Sequence, residues 1–167
     1  MPPLRPFFVP AVLFLFGCTT NSPAPAPRPT PAKVCSEIGC KSGLELELAR
    51  PTPWPHGSYR FTLSIDGKSA SCDGKLPLEP CERGPTFKCS DPSLSVSESG
   101  CALPAEQHAV SGLSSTATAA AKVSLVIEHQ GALQATAQLT PAFQTVQPNG
   151  PGCEPVCESA SLRLNLR

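Results

Sequence analysis

Tyr59-Arg60-Phe61-Thr62-Leu63-Ser64-Ile65-Asp66-Gly67 is the stretch from which the fold can be read. Tyr59, Phe61, Leu63 and Ile65 alternate with Arg60, Thr62, Ser64 and Asp66. Successive side chains of a strand point to opposite faces, so this period marks a strand with one face buried. Asp66-Gly67 follows directly, and this dipeptide suits the positive φ angles of a two-residue hairpin turn. A partner strand is therefore expected to fold back over residues 69–75.

The same period recurs along the chain. Leu44, Leu46 and Leu48 alternate with Glu45 and Glu47, and Val123, Leu125 and Ile127 with Ser124, Val126 and Glu128. Gln130-Gly131 then offers a weaker turn before Leu133, Ala135, Ala137 and Leu139, and Leu162, Leu164 and Leu166 close the series. Shorter strands are expected over residues 86–89, 94–98 and 109–113. Residues 114–122, rich in Ala, Thr and Ser, show no apolar stripe at helical spacing and read as a loop. Eight or nine short strands with one-sided burial imply an all-β, antiparallel β-sandwich. This pattern resembles the immunoglobulin and fibronectin architecture, without the Cys…Trp…Cys spacing of a true immunoglobulin domain.

Nine cysteines stand in 167 residues. Cys35 and Cys40 come just before the first strand, and Cys153 and Cys157 just before the last. In sandwiches the first and last strands often lie side by side and parallel, which favours bridges between these two pairs. Glu45 and Glu47 would then face Arg163 and Arg167 across neighbouring strands, a favourable pairing. Two local loops, Cys35–Cys40 and Cys153–Cys157, are the alternative. In the middle of the chain a hairpin around Pro80 would set Cys72 opposite Cys89 and leave Cys81 for Cys101. Eight cysteines allow 105 connectivities, so spacing alone does not select one. The spacings contain no Cys-x-x-Cys, and neither a metal site nor a redox motif is expected.

Cys18 stands apart from these eight. It follows a ten-residue apolar run, Phe7 to Phe16, and Gly17. Such a run is too short to span a bilayer, which needs about 20 residues, but suits the h-region of a secretory signal. Leu15-Phe16-Gly17-Cys18 resembles the lipobox of bacterial lipoproteins processed by signal peptidase II. The resemblance implies cleavage before Cys18, diacylglycerol on its sulfur and acylation of the new amine. An ordinary signal peptide cut elsewhere, with Cys18 left as a thiol, is the alternative. Thr19 is not the acidic residue that marks inner-membrane retention in many Gram-negative lipoproteins, so the resemblance implies the outer membrane. The chain as a whole is similar to small Cys-rich lipoproteins of bacteria that carry no assigned activity.

Three segments follow: a signal peptide over 1–17, a lipidated cysteine and tether over 18–34, and a disulfide-rich domain over 35–167. Within the tether, proline at every second position from Pro23 to Pro31 favours extended polyproline II. At about 3.1 Å per residue it would reach up to about 45 Å; a linker of no set length is the alternative. A 17-residue leader taken from 167 leaves 150 residues, one domain's worth. Loss of Arg5 sets 12 Lys and Arg against 13 Asp and Glu. No basic patch stands out, so nucleic acid is not an expected partner; the membrane is, through the lipid on Cys18. Oxidised cysteines and a secretory leader agree on an extracytoplasmic compartment.

Motifs for chemistry are missing. There is no Gly-x-Ser-x-Gly elbow, His-Glu-x-x-His or Ser-x-x-Lys, and no Gly-rich phosphate loop. His56, His108 and His129 have no motif around them, and Trp54 between Pro53 and Pro55 reads as a plug at one end of the fold. The loop from Gln147 to Cys153 either presents a rigid binding surface or merely positions Cys153. The expectation is a lipid-anchored envelope protein with a structural or binding role, no catalytic residue and no cofactor. A hydrolase with an unrecognised site and a secreted inhibitor-like module are the alternatives.

Overall fold

The alternating stretch becomes β2, Gly57–Ile65, at the centre of a five-stranded sheet. The structure, a computed structural model, describes residues 33–166. The other strands are β1 (Gly43–Ala49), β3 (Lys68–Leu76), β4 (Lys88–Cys89), β5 (Leu94–Ser99), β6 (Ala109–Ser115), β7 (Val123–His129), β8 (Ala132–Leu139), β9 (Gln144–Val146) and β10 (Cys157–Asn165). They form two sheets of five, in the orders β5-β6-β1-β10-β9 and β4-β3-β2-β7-β8. Every ladder is antiparallel except β1–β10. The lipobox and its Cys18, and the tether up to residue 32, lie outside the described residues.

Both two-residue turns form. Asp66 and Gly67 have φ of 48° and 84°, and Gln130 and Gly131 have 53° and 77°. Positive φ at both central positions matches the right-handed twist of the flanking strands. Asp66 does more than turn the chain. Its carboxylate accepts the backbone N–H groups of Ala121 (3.0 Å) and Lys122 (2.8 Å), fastening the loop over 116–122 to the hairpin.

One buried cluster draws on the inner faces of both sheets. Leu44, Leu46, Val110 and Leu113 come from the first sheet, and Phe61, Val123, Leu125 and Ile127 from the second, each 2% exposed or less. Burial of a side chain of this size contributes about 1.5–3 kcal/mol. Aromatic rings fill one end. Trp54 meets Tyr59 and Phe61 edge to face, at centroid distances of 5.4 and 6.0 Å, and Phe61 meets Phe87 at 5.5 Å. Gly74 makes room for Phe87, since a Cβ there would lie 2.4 Å from the ring.

Three strands differ from the sequence reading. β10 begins at Cys157 instead of Leu162 because Ser159, Ala160 and Ser161 hide the alternation in small residues; Ala160 is buried all the same. β9 is a three-residue edge strand without an apolar pattern, and β4 has only two residues. The parallel register sets Glu47 opposite Arg163, with oxygen and nitrogen 3.3 Å apart, and Glu45 opposite Ser161. The expected pairing of Glu45 with an arginine is therefore corrected, and Arg167 lies outside the described residues.

Candidate functional site

The end of the fold at which the chain enters β1 is the most constructed part of the molecule. Cys35 is bonded to Cys153 and Cys40 to Cys157, across 118 and 117 positions of sequence. The local loops Cys35–Cys40 and Cys153–Cys157 do not form. β1 and β10 run parallel from this end, so the bridges hold the lead-in segments of both strands together. Cys153 and Cys157 are buried, while Cys35 is exposed and Cys40 half-buried.

Asn149 completes the clamp. Its Oδ1 accepts from the Ser36 hydroxyl (2.6 Å) and the Ile38 N–H (2.9 Å). Its Nδ2 donates to the carbonyls of Ile38 (3.0 Å) and Glu154 (2.6 Å). The amide's donors and acceptor are thus all engaged. Gly150, at φ 85°, turns the chain, and Gln147 Nε2 donates to the Cys153 carbonyl at 2.9 Å. The loop from Gln147 to Cys153 therefore spends polar groups on holding residues 36–38 and Cys153.

The other two bridges fasten the far side of the chain. Cys72 and Cys89 are bonded between directly opposed residues of β3 and β4, and Cys81 is bonded to Cys101. Glu98 anchors the same region, accepting the backbone N–H groups of Phe87 (2.7 Å) and Thr86 (3.1 Å). His108 is buried there. Its Nδ1 accepts the Leu78 N–H and its Nε2 faces the Leu103 carbonyl, both at 2.9 Å, which fixes the tautomer with the proton on Nε2.

Neither remaining histidine has an acid partner in these contacts. His129 stacks on Tyr59 at 4.5 Å between centroids, and its Nε2 meets the carbonyl of His56, which is itself exposed. Burial pushes the Tyr59 phenol above its ordinary pKa, with the Arg50 guanidinium pulling the other way. The phenol donates to the Pro55 carbonyl at 2.8 Å, and Arg50 lies 5.3 Å over the Trp54 ring. Trp54 is 7% exposed and serves as a plug.

A concavity of about 560 Å³ lies at the clamp, lined by Ser36, Glu37, Ile38, Asn149, Glu154 and Pro155 among others, and further concavities lie along the outer face of the first sheet. One, of about 530 Å³, is lined by Lys41, Glu45, Ser95, Ser114, Ser159 and Ser161 among others. Ser95 and Ser114 share a hydrogen bond of 2.8 Å across β5 and β6. Short hydroxyls and one cation can make hydrogen bonds to a polar ligand, but no histidine is there to activate a serine. Among the described residues no group of His, Cys, Asp and Glu is arranged to hold a metal, and no helix is long and apolar enough to cross a membrane.

Asn149, His108, Glu98 and the Asp66 carboxylate each make non-local contacts, and none was singled out for that role from sequence. Asn149-Gly150 is a turn dipeptide, so its position was legible but not its reach to Ile38. Comparison with protein-family models, curated proteins and solved structures finds no match to this chain.

Proposed function

We propose that this protein is a lipid-anchored lipoprotein of the bacterial cell envelope. Cys18 carries the lipid, residues 18–34 form the tether, and the domain from Cys35 onward has a structural or binding role. The observation that carries this reading is the pairing of the other eight cysteines among themselves. No disulfide partner is left over for Cys18, the one cysteine that stands in a lipobox. The double bridge just beyond the tether adds support. A pull arriving through residues 18–34 meets covalent links to the segments leading into both β1 and β10.

The strand order supports the immunoglobulin-like reading of the architecture. Strands β1 to β8 follow the succession of B, C, C′, C″, D, E, F and G in a variable-type domain, with D-E-B in one sheet and C″-C′-C-F-G in the other. β10 takes the place beside β1 where strand A sits in that fold, and β9 extends the sheet.

Phase partitioning in detergent tests the anchor. The wild-type protein should enter the detergent phase, and Cys18→Ala should move it to the aqueous phase. Wild-type protein that partitions like Cys18→Ala would exclude the lipid. On fractionation of a double-membrane cell, the anchored protein should follow the outer membrane.

A further inference from the structure

We propose that β8 is a self-pairing edge through which two copies of this chain join their second sheets into one continuous sheet. Four strands form the edges of the two sheets. β4 has two residues and β9 three, too few to template a partner. β5 carries Glu98 and a register break beside it. β8 is eight residues long and, among the described residues, pairs with β7 alone.

Exposed edges are normally guarded by charged residues, proline or bulges, because their unpaired N–H and C=O groups invite another strand. β8 reads Ala132-Leu133-Gln134-Ala135-Thr136-Ala137-Gln138-Leu139, with neither charge nor proline. Its one guard is a register break opposite Ile127 and Glu128, which leaves Ala135–Leu139 in regular pairing. Leu133, beside the break, is 63% exposed.

Leu133 to Leu139 is also a palindrome about Thr136. A two-fold axis through an antiparallel pair places residues equally distant from it opposite each other. With the axis at Thr136, Gln134 faces Gln138 of the second copy, Ala135 faces Ala137, and Thr136 faces itself. Gln134, Thr136 and Gln138 are exposed, whereas Ala135, Ala137 and Leu139 are half-buried and turn inward. The outer face of the seam would then carry paired amides and hydroxyls, each both donor and acceptor. The inner face would carry the methyl groups of Ala135 and Ala137, which let the backbones approach, and the Leu139 side chain toward its ends. No like charges meet, and the chain has formal net charge zero. A seam of this length is small beside the roughly 1,200 Å² of a stable interface, so the dimer is a weak one, favoured at high local concentration.

The test uses the full-length mature protein at no more than one copy per detergent micelle, with its mass followed by sedimentation against concentration. The wild type should pass reversibly from monomer to dimer. Gln134→Lys with Gln138→Lys sets lysine against lysine and should weaken dimerisation at least tenfold. Gln134→Lys with Gln138→Glu sets opposite charges across the seam and should restore it. A wild type that stays monomeric at millimolar concentration, or a lysine pair that dimerises as well as wild type, overturns the proposal. Hydrogen exchange on the unmutated protein gives a second reading. Amide protection should rise with concentration over residues 133–139, and a rise elsewhere instead would also overturn it.

Discussion

Cys40 and Cys157 are bonded across 117 positions of sequence, and Cys35 and Cys153 are bonded beside them in the same order along the chain. The two bridges interleave and share most of the same loop, so their effects are not independent. With both absent, the first to form closes a loop of more than 100 residues; with one in place, the second closes only the short ring through the two clusters. On the chain-entropy account the long closure is worth about 4–5 kcal/mol and the short one about 2.5–3. Replacing either pair by alanines should therefore cost about 2.5–3 kcal/mol. Replacing both should cost about 7 kcal/mol, more than the two single costs together, or prevent folding. Urea unfolding of the three variants checks this, and strict additivity would contradict it.

Asn149→Ala removes four hydrogen bonds at the clamp, all at an exposed position. The expected cost is about 1–2 kcal/mol, with faster amide exchange confined to residues 36–38. Asn149→Asp keeps the acceptor but loses the donations to Ile38 and Glu154, so it should recover only part of the loss. If Asn149→Ala leaves exchange at Ile38 unchanged, the clamp carries no weight.

His108→Ala leaves the Leu78 N–H and the Leu103 carbonyl without their partner in a buried region. A lost partner of this kind costs about 1–3 kcal/mol. The loss should appear in the denaturation midpoint and not in the disulfide pattern, since Cys81–Cys101 is held by the surrounding chain.

Glu79 sets a prediction for acid. The hydrogen bond and charge of Lys75, with the Arg83 guanidinium adding to them, hold its carboxyl below the usual glutamate range. A carboxyl depressed in the folded state adds stability that is present above its unfolded pKa and is lost as pH falls through the folded value. The three side chains are solvated, so the effect is small. Glu79→Gln should be slightly less stable than wild type at neutral pH, and the difference should vanish once the pH has fallen below the folded-state value. A difference that widens toward acid would contradict the sign.

The parts of the fold that were legible in the sequence are those written in period two. Tyr59 to Ile65 and Leu44 to Leu48 are buried on one face because leucine and aromatic rings stand at every second position, and Asp66-Gly67 turns because its neighbours must pair at once. β9 was not legible, since Gln144-Thr145-Val146 is too short to show a period. The start of β10 was hidden because Ala160 does in the core what leucine does elsewhere. At the tether end the cysteine spacing and the expected neighbourhood of first and last strands pointed to the pairing now seen. Asn149 could not be read, because a side chain that bonds residue 38 leaves no mark on its own neighbours. The serines along the outer face of the first sheet could not be read as a group, because strand register alone brings Ser95, Ser114 and Ser161 together from separate parts of the chain.

The central claim is that Cys18 bonds to a lipid and not to another thiol. The most direct measurement is the intact mass of the protein purified from the cell envelope without reduction, together with the sequence of its first peptide. The account predicts a chain that begins at Cys18, carries the mass of diacylglycerol and an acyl group there, and takes up no alkylating agent until it is reduced. An unmodified chain that begins at another residue, or a Cys18 that alkylates freely, would contradict it.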